Sequence, residues 1–533
     1  MSKQQVRLAS LLLEEAFGDQ VEAVGTYLLK NGGSNLGEIS KGTGLQINKV
    51  KKCLVVLIQH QLALFEPHSS GKYVLYSVSV ESVQLRGRFP RYILASRELY
   101  GQIGELICEY ILHQGRTLMS QCINRVAERL EVTLGAAPAE VSKVVKTKFV
   151  GMVEGQYLTR VKPPSTESAL GQVNSGDSAR TPIFGKFELP SSLTAIKYTG
   201  NKRKRDEEDP GNQPSSKRAK KNTGEGEEKP VDDGVFWSVN FDNFHQHFQD
   251  KAIVSAVRER VDETAACVMR SLLRMAINLS QDKSLQTKSS PTLYKGRMAE
   301  YLPDKPKLSE MDLEHYLKAL TDDQAHFLSK EDDSGGGGYA VDYQQCAQGL
   351  CQATVEGIVR ERFSSKCLRV FRLLLVKRVL EQKQVVDMAM IPSKEARELL
   401  YSLLAENFIS LQEIPRTMDY APSRTFYLFS VNLPSVARLL LERTYQALGN
   451  IVSRRMFEMK THKRLLEKYA QYQEQMAQLK GRGEVEEEEI EEILTPDEKT
   501  TAEQVKKTIQ KLEAGELQLD ETIMSLSNYI RMA

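Results

Sequence analysis

The chain has 533 residues, 41% of them hydrophobic and 27% charged, with a formal net charge of +2. That length exceeds a single core and implies about three to five units of roughly 100–150 residues, while the near-neutral balance excludes a global field that would draw the chain onto nucleic acid. Seven dispersed cysteines without a CxxC pair fit a reducing compartment rather than a disulfide frame or a zinc site, and the lack of any run of about 18 apolar residues argues against a membrane span or a membrane partner.

The amino-terminal apolar stretch is broken by charges after Leu13, which argues against a secretory signal. Residues 20–80 then read as three helices and a hairpin. Val21, Val24 and Leu28 mark the first helix, which Asn31–Ser34 ends. Gly37–Thr43 forms the second. Ile47–Gln59 forms the third, with Ile47, Val50, Leu54, Leu57 and Ile58 on one stripe. A strand over Leu62–Phe65, a turn over Pro67–Gly71 and a strand over Tyr73–Val78 complete the order of a winged helix. In that arrangement the third helix is the one able to enter a major groove.

Residues 88–162 repeat the order more faintly. Helices are expected over Ser96–His113, over Leu118–Leu130 and after Pro138, with strand-like pieces around Met152–Val161. Residues 163–235 open with Pro163-Pro164, are rich in Ser, Gly and Thr, and hold two basic clusters. Their apolar content is too low to offset chain entropy, so a disordered linker between two halves is expected. Residues 240–342 give helices over Ile253–Leu279 and Ser309–Leu320, a strand over Ala325–Leu328, a turn over Gly335–Gly338 and a strand over Tyr339–Val341. The patternless stretch Gln281–Pro306 reads as an insertion.

Residues 395–431 match the first domain. Leu400, Leu403, Leu404, Phe408 and Leu411 stand where Leu54, Leu57, Ile58, Leu62 and Phe65 stand, 346 residues later (54 to 400, 65 to 411). The second strands correspond at an offset of 353 (73 to 426), which means a longer turn in the later copy, and loop length is what a repeated domain tolerates changing. After Leu441 the apolar residues step by three and four through Tyr445, Leu448, Val452, Met459, Leu466, Tyr469 and Met476. They break at Gly481–Gly483 beside an acidic run, Glu486–Glu489, and resume from Pro496 through Val505, Ile509, Leu512, Leu519, Ile523, Leu526 and Ile530. Two such helices around a break form an antiparallel coiled-coil hairpin.

The expected fold is therefore mainly α with small β wings: four tandem winged helices and a carboxy-terminal coiled-coil hairpin. The boundaries are winged helix 1 at 1–84, winged helix 2 at 85–162, a basic linker at 163–235, winged helix 3 at 236–342, winged helix 4 at 343–433 and the hairpin at 434–533.

No P-loop, GxSxG, HExxH, kinase or dinucleotide motif is present, Gly335–Gly338 lacks the following Lys-Ser/Thr, and Asp206–Asp209 are charges in a low-complexity stretch. His245 and His247 have no Cys or His partner nearby in the sequence. No catalytic, cofactor-binding or metal-ligating residue is expected, and the chain reads as a non-enzyme. Lys202, Arg203, Lys204 and Arg205, followed after a spacer by Lys217, Arg218, Lys220 and Lys221, have the layout of a bipartite nuclear-import signal; a DNA tether and a plain solvated run are the other readings. Lys49, Lys51 and Lys52 lie off the stripe of the third helix and either meet phosphates or form an ordinary wet face. The matching helix of the later copy carries Lys394, Glu395, Arg397 and Glu398, whose mixed sign suits protein better than a groove. Arg86, Arg88 and Arg91, with Phe89 and Tyr92 among them, either bind a backbone and stack on unpaired bases or pack as a linker. Arg454, Arg455 and Lys460–Arg464 read as the wet face of the coil or as a partner contact.

The stretches Arg7–Gly18, Lys51–His60 and Arg88–Ile93, together with the overall layout, resemble the winged-helix subunit family of eukaryotic RNA polymerase III, which is also similar to the alpha subunit of general transcription factor IIE. The resemblance spans essentially the whole chain, and the 163–235 stretch is its least family-like part. It implies a non-catalytic peripheral nuclear subunit beside the polymerase clamp, in a heterotrimer with a smaller winged-helix subunit and an acidic subunit. It further implies recruitment of the initiation factor, promoter opening at small-RNA genes, non-specific contact with single-stranded or melted DNA, and a share in cytosolic DNA sensing by the whole complex. Two other readings stand beside it: a sequence-specific regulator, which needs a strongly basic recognition helix, and an assembly scaffold that touches only protein.

Overall fold

The structure is a computed structural model that describes residues 2–68, 71, 73–134, 138–161, 187, 235–279, 288–298, 300–302, 309–323, 325–332, 337–416, 424–482 and 495–533. It divides into two units: an amino-terminal unit of residues 19–245, and a carboxy-terminal unit of residues 246–533 together with residues 1–18.

Helix α1 (Lys3–Phe17) opens the chain under a Ser2–Gln5 capping box and ends at Gly18, whose φ is +84°. It belongs to the carboxy-terminal unit, although the first domain is expected over residues 1–84. Helices α2 (Asp19–Asn31), α3 (Leu36–Thr43) and α4 (Ile47–Gln59) follow, then strands β1 (Ala63–Pro67) and β2 (Val74–Val78). Val24, Leu28, Ile39, Val50, Leu54 and Leu57 converge in the core beneath them, each nearly or fully excluded from water. Burial of that kind stabilises by about 1.5–3 kcal/mol per large aliphatic side chain. The hairpin pairs antiparallel with Phe65 opposite Tyr76, and an isolated bridge joins Ser34 to the far edge of β2.

Helix α5 (Val80–Gln84) and a 3₁₀ turn (Leu85–Arg88) lead into α6 (Phe89–Tyr100) and α7 (Gln102–Gln114). The single helix expected over 96–113 is thus two. Gly101, at φ +80°, closes one and opens the other, a conformation that favours glycine. Strand β3 (Thr117–Leu118), α8 (Met119–Leu134), α9 (Pro138–Glu154) and β4 (Leu158–Val161) come next, and β5 (Phe236–Val239) then pairs between β3 and β4. Leu158 faces Val239 and Val161 faces Phe236. Residue 236 therefore closes the second sheet and does not start the third domain as expected. The basic stretch expected to be an inter-domain linker connects the two strands of one hairpin, and it lies outside the described residues.

Helix α10 (Phe241–Arg260) has its first residues in the amino-terminal unit and the rest in the other. Helix α11 (Glu263–Leu279) is separate from it, against the expected Ile253–Leu279 helix, because Asp262 Oδ1 accepts from Ala265 N at 2.6 Å and caps a new start. Strand β6 (Leu293–Tyr294) and α12 (Lys295–Met298) fall within the stretch read as an insertion. Then come α13 (Glu310–Asp322), β7 (Leu328–Asp332) and β8 (Gly338–Val341), with β7 lying four residues beyond its expected edge. Helices α14 (Tyr343–Arg362) and α15 (Ser365–Lys377), β9 (Val379–Glu381), α16 (Gln382–Ala389), α17 (Ser393–Ala405), β10 (Ser410–Pro415) and β11 (Thr425–Ser430) complete the last sheet. The sheet orders are β3-β5-β4, β6-β8-β7 and β9-β11-β10, and the first hairpin with its Ser34 bridge has the same order.

Helices α18 (Leu433–Thr461), α19 (Lys463–Arg482) and α20 (Pro496–Met532) form the carboxy-terminal end; the expected Gly481–Gly483 break and acidic run lie outside the described residues, apart from the backbone of 481–482. The stripe of α20 does more than close the hairpin. Met532 joins a core with Ile253, Met269, Leu317 and Val341, whereas Leu526 and Tyr529 join another with Phe371, Leu400, Leu403 and Phe408.

Candidate nucleic-acid interface

Helix α4 places Val50, Cys53, Leu54 and Leu57 inward, so Lys49, Lys51 and Lys52 emerge on its exposed side, as their spacing predicts. The helix holds no acidic residue, and none of the three lysines pairs with a described residue. Its carboxy-terminal end is anchored. Gln59 Nε2 donates to Gln114 O at 3.2 Å and Arg116 O at 2.9 Å, and the Arg116 guanidinium donates to Ile58 O. Gly115 (φ +78°) permits the approach, since a Cβ there would sit 2.5 Å from Gln59 O. His60 next to this joint is held down to about 4, first by burial and then by the charges of Arg86 and His113, so it is neutral at physiological pH.

Arg86, Arg88 and Arg91 are half-buried, and each is engaged with a partner. Arg86 lies 4.9 Å from the centre of the Phe89 ring. Arg88 Nη1 and the Tyr92 hydroxyl both meet His245 Nε2, at 3.3 and 2.7 Å. Tyr92 is fully buried and Phe89 stacks on Phe241 at 6.2 Å, so the idea that Tyr92 stacks on an unpaired base is corrected: its ring already packs against Phe241 and Phe244. His245 thereby holds a structural place.

Among the coil cations, Arg454, Lys460, Lys463 and Arg464 are exposed, in keeping with a wet face, and Arg455 alone departs from it. Arg455 is buried between Glu15 of α1 and Glu516 of α20, at 2.5 and 2.7 Å, and Lys460 binds Glu14 at 2.7 Å. On α17, Lys394, Arg397 and Glu398 are exposed and Glu395 pairs with Lys366, so the mixed sign expected there persists. The basic clusters Lys202–Arg205 and Lys217–Lys221 lie outside the described residues.

One basic helix escaped the sequence reading. Helix α9 presents Lys143 and Lys148 on its exposed side, with Lys146 half-buried beside them and Val141, Val145, Phe149, Met152 and Val153 packed inward. Three lysines follow Pro138 within eleven residues, a signal that becomes a basic face only once the inner side of the helix is fixed. Behind it Phe149 meets Trp237 of β5 edge-on at 5.9 Å, both fully buried. Six of the seven cysteines are buried, and burial pushes Cys108 and Cys351 up to about 12, so they act as small apolar residues.

Four family models match the chain. They are an RNA polymerase III subunit RPC82 helix-turn-helix domain over residues 7–68, RNA polymerase III subunit RPC82 over 147–350, a POLR3C carboxy-terminal winged-helix domain over 355–431, and a DNA-directed RNA polymerase III subunit RPC3 helical hairpin domain over 464–525. Among curated proteins, the DNA-directed RNA polymerase III subunit RPC3 of Bos taurus is 41% identical, and that of Homo sapiens 40%, each over 99% of both chains. The counterpart in Dictyostelium discoideum is 24% identical over 88% of this chain and 94% of its own. With a helix-turn-helix model matched at the amino-terminal end, a winged-helix model and a helical hairpin model matched behind it, and full-length relatives at that identity, the chain belongs to the RPC3 family of RNA polymerase III subunits.

Proposed function

We propose that this chain is a non-catalytic peripheral subunit of RNA polymerase III, working in the nucleus with a smaller winged-helix subunit and an acidic subunit. It assists the initiation factor in opening promoters of small-RNA genes and holds single-stranded or melted DNA without reading its sequence. Through the whole complex it shares in sensing cytosolic DNA. Four winged helices carry this role. The reading of four rests on the common sheet order and on one repeated detail: Gln61, Gln156, His326 and Asn407 each take a positive φ just before the first hairpin strand. The proposed domains are residues 19–79, residues 80–240 including the basic insert in the hairpin, residues 246–342 and residues 343–431, followed by the coil.

The observation that carries DNA contact is the exposed side of α4, whose charges are lysines alone. A scaffold that binds only protein is the second reading. It is favoured by the net charge of +2 and by the acidic character of α13, where Asp312, Glu314 and Asp322 outnumber Lys318. The basic clusters at 202–205 and 217–221 serve nuclear import. A tagged pull-down from nuclear extract at moderate salt, read by mass spectrometry, tests the assignment: the large polymerase III subunits and two small partners in equal amounts are expected, and recovery of the chain alone overturns it.

A further inference from the structure

We propose that α9 is a second phosphate-binding helix, matching α4 in role, and that it contacts nucleic acid through Lys143 and Lys148 without reading bases. The inference rests on the DNA-contact reading above and extends it to a helix with no assigned function. Its position is the first argument. Helix α9 follows α7 and α8 as α4 follows α2 and α3. It runs into a left-handed residue, Gln156, at φ 63°, where α4 runs into Gln61 at φ 59°. Each is followed by a wing strand whose hairpin partner is the central strand of its sheet. In a winged helix this is the element that meets the groove.

Chemistry is the second argument. The exposed stretch of α9 carries Lys143, Val144, Thr147 and Lys148, with Val144 47% exposed. The Thr147 hydroxyl donates back to Lys143 O at 3.0 Å, so the charges of that surface are the two ammonium groups and, one turn before Lys143, the exposed Glu140. The acids of the helix, Glu140 and Glu154, sit at its two ends. It contains no Arg, Asn or Gln, the side chains that read guanine or adenine through paired hydrogen bonds. Lysine is a mobile point charge suited to a phosphate and poorly suited to a base edge. A helix of this composition binds a nucleic-acid backbone, whatever the sequence. Helix α13 occupies the same place in the third helix–sheet cluster and exposes Asp312 and Glu314 beside Lys318, so its outer side carries more acid than base; it supplies the internal control.

Trp237 makes the test clean. It is the only tryptophan in the chain, fully buried behind α9 and edge-on to Phe149. Its emission reports whether the inner face of α9 has repacked, independently of events on the outer face.

The experiment uses the full chain, two labelled single strands of unrelated sequence and about 20 nucleotides each, and the matching duplexes, titrated by anisotropy across a salt series. The Lys143→Gln/Lys148→Gln double variant is expected to lower affinity on the order of tenfold near physiological salt. It should also reduce the slope of log affinity against log salt by about 1.4 for single strands and 1.8 for duplexes, the loss of two phosphate contacts. Trp237 emission should not move. Lys143→Arg/Lys148→Arg should keep the affinity, and Asp312→Asn/Glu314→Gln should leave it unchanged. Unaltered affinity and slope in the glutamine variant, while Lys51→Gln/Lys52→Gln loses both, overturns the role of α9 and leaves the DNA-contact reading standing. Failure of the unaltered chain to bind either probe at low salt overturns that reading itself. A loss in the glutamine variant that comes with a shifted Trp237 emission, and that the arginine variant shares, assigns the lysines to folding and overturns the proposal.

Discussion

Gln61 and Asn407 hold the same left-handed backbone position 346 residues apart, at φ 59° and 60°. Each follows a 13-residue helix, α4 or α17, whose ends keep the same offset (47 to 393, 59 to 405). After each, the chain folds back identically: Leu62 N donates to Leu57 O and Phe408 N to Leu403 O, both at 2.9 Å. The side-chain preference at the two positions differs, because Asn tolerates this conformation and Gln does not. Gln61→Gly is therefore expected to raise stability by about 1 kcal/mol and Asn407→Gly to change it by less than about half of that. The same logic applies to Met390, a left-handed cap at φ 51° and 87% exposed, where the first repeat has Gly44 at φ 70°. Met390→Gly removes strain without removing packing and should stabilise by about 1 kcal/mol. Urea denaturation of the three variants decides the matter; a destabilised Gln61→Gly would refute the argument.

Arg455 joins three helices that are remote in sequence. Its guanidinium meets Glu15 of α1 and Glu516 of α20, and its side chain is 11% exposed. Two carboxylates hold it charged despite its burial. Arg455→Met leaves those carboxylates facing one another without a cation and should cost about 3 kcal/mol, the size seen when one partner of a buried ion pair is removed. Replacing all three groups with apolar residues should recover most of that loss. Thermal melts of the single and triple variants distinguish this from a surface pair, for which both would be near neutral.

The repeat of α4 in α17 was legible because both helices keep a full apolar stripe and one following apolar residue, Leu62 or Phe408, that must be buried whatever surrounds it. The pairing of β5 with β3 and β4 was not legible, since a strand of four residues carries little periodicity and its partners lie across residues 162–235. The place of α1 and Arg455 was hidden for a related reason. A charge on a helix face looks solvated until the helix that covers it is known, and α1 lies over four hundred residues from its partners in α18 and α20. At the candidate site the lysines of α4 followed from the stripe alone. Those of α9 required its inner face, set by Val145, Phe149 and Met152, to be fixed first.

The two units should respond to acid in opposite directions. His60 in the amino-terminal unit titrates near 4 when folded and near 6.5 when unfolded, so the unfolded chain binds the extra proton and stability is lost as pH falls from 6.5 towards 4. Asp250 in the carboxy-terminal unit is raised by burial to about 7, and its Oδ1 finds no hydrogen-bond donor among the described residues. Here the folded state holds the proton more tightly, so stability is present in acid and is lost as pH rises from about 4 through 7, by up to about 4 kcal/mol. Asp250→Asn should abolish that slope and stabilise the unit at pH 8. Hydrogen exchange at pH 5 and pH 8, resolved by unit, checks both signs. Parallel responses in the two units, or a slope that persists in Asp250→Asn, would sink the assignment.

The register that pairs Val161 with Phe236 brings the two ends of residues 162–235 together at the end of one hairpin. Directly opposed residues of an antiparallel pair lie about 5 Å apart, a gap that a short turn spans. The fold of the second sheet therefore asks nothing of the intervening residues except closure, and closing a shorter loop costs less entropy, about 0.6 kcal/mol for each halving of length. Replacing residues 163–234 with a short Gly/Ser turn should leave the melting temperature unchanged or raised. It should also leave Trp237 of β5 with the emission of a buried indole. Because the basic clusters go with the removed residues, the same variant should stay out of the nucleus, and returning a segment that holds only residues 200–223 should restore import. Unfolding of the second sheet in the shortened chain would mean that the insert helps to build the domain. Retained nuclear import with a stable fold would assign Lys202–Arg205 and Lys217–Lys221 to another task, with nucleic-acid contact at the end of the hairpin the one their charge suits best.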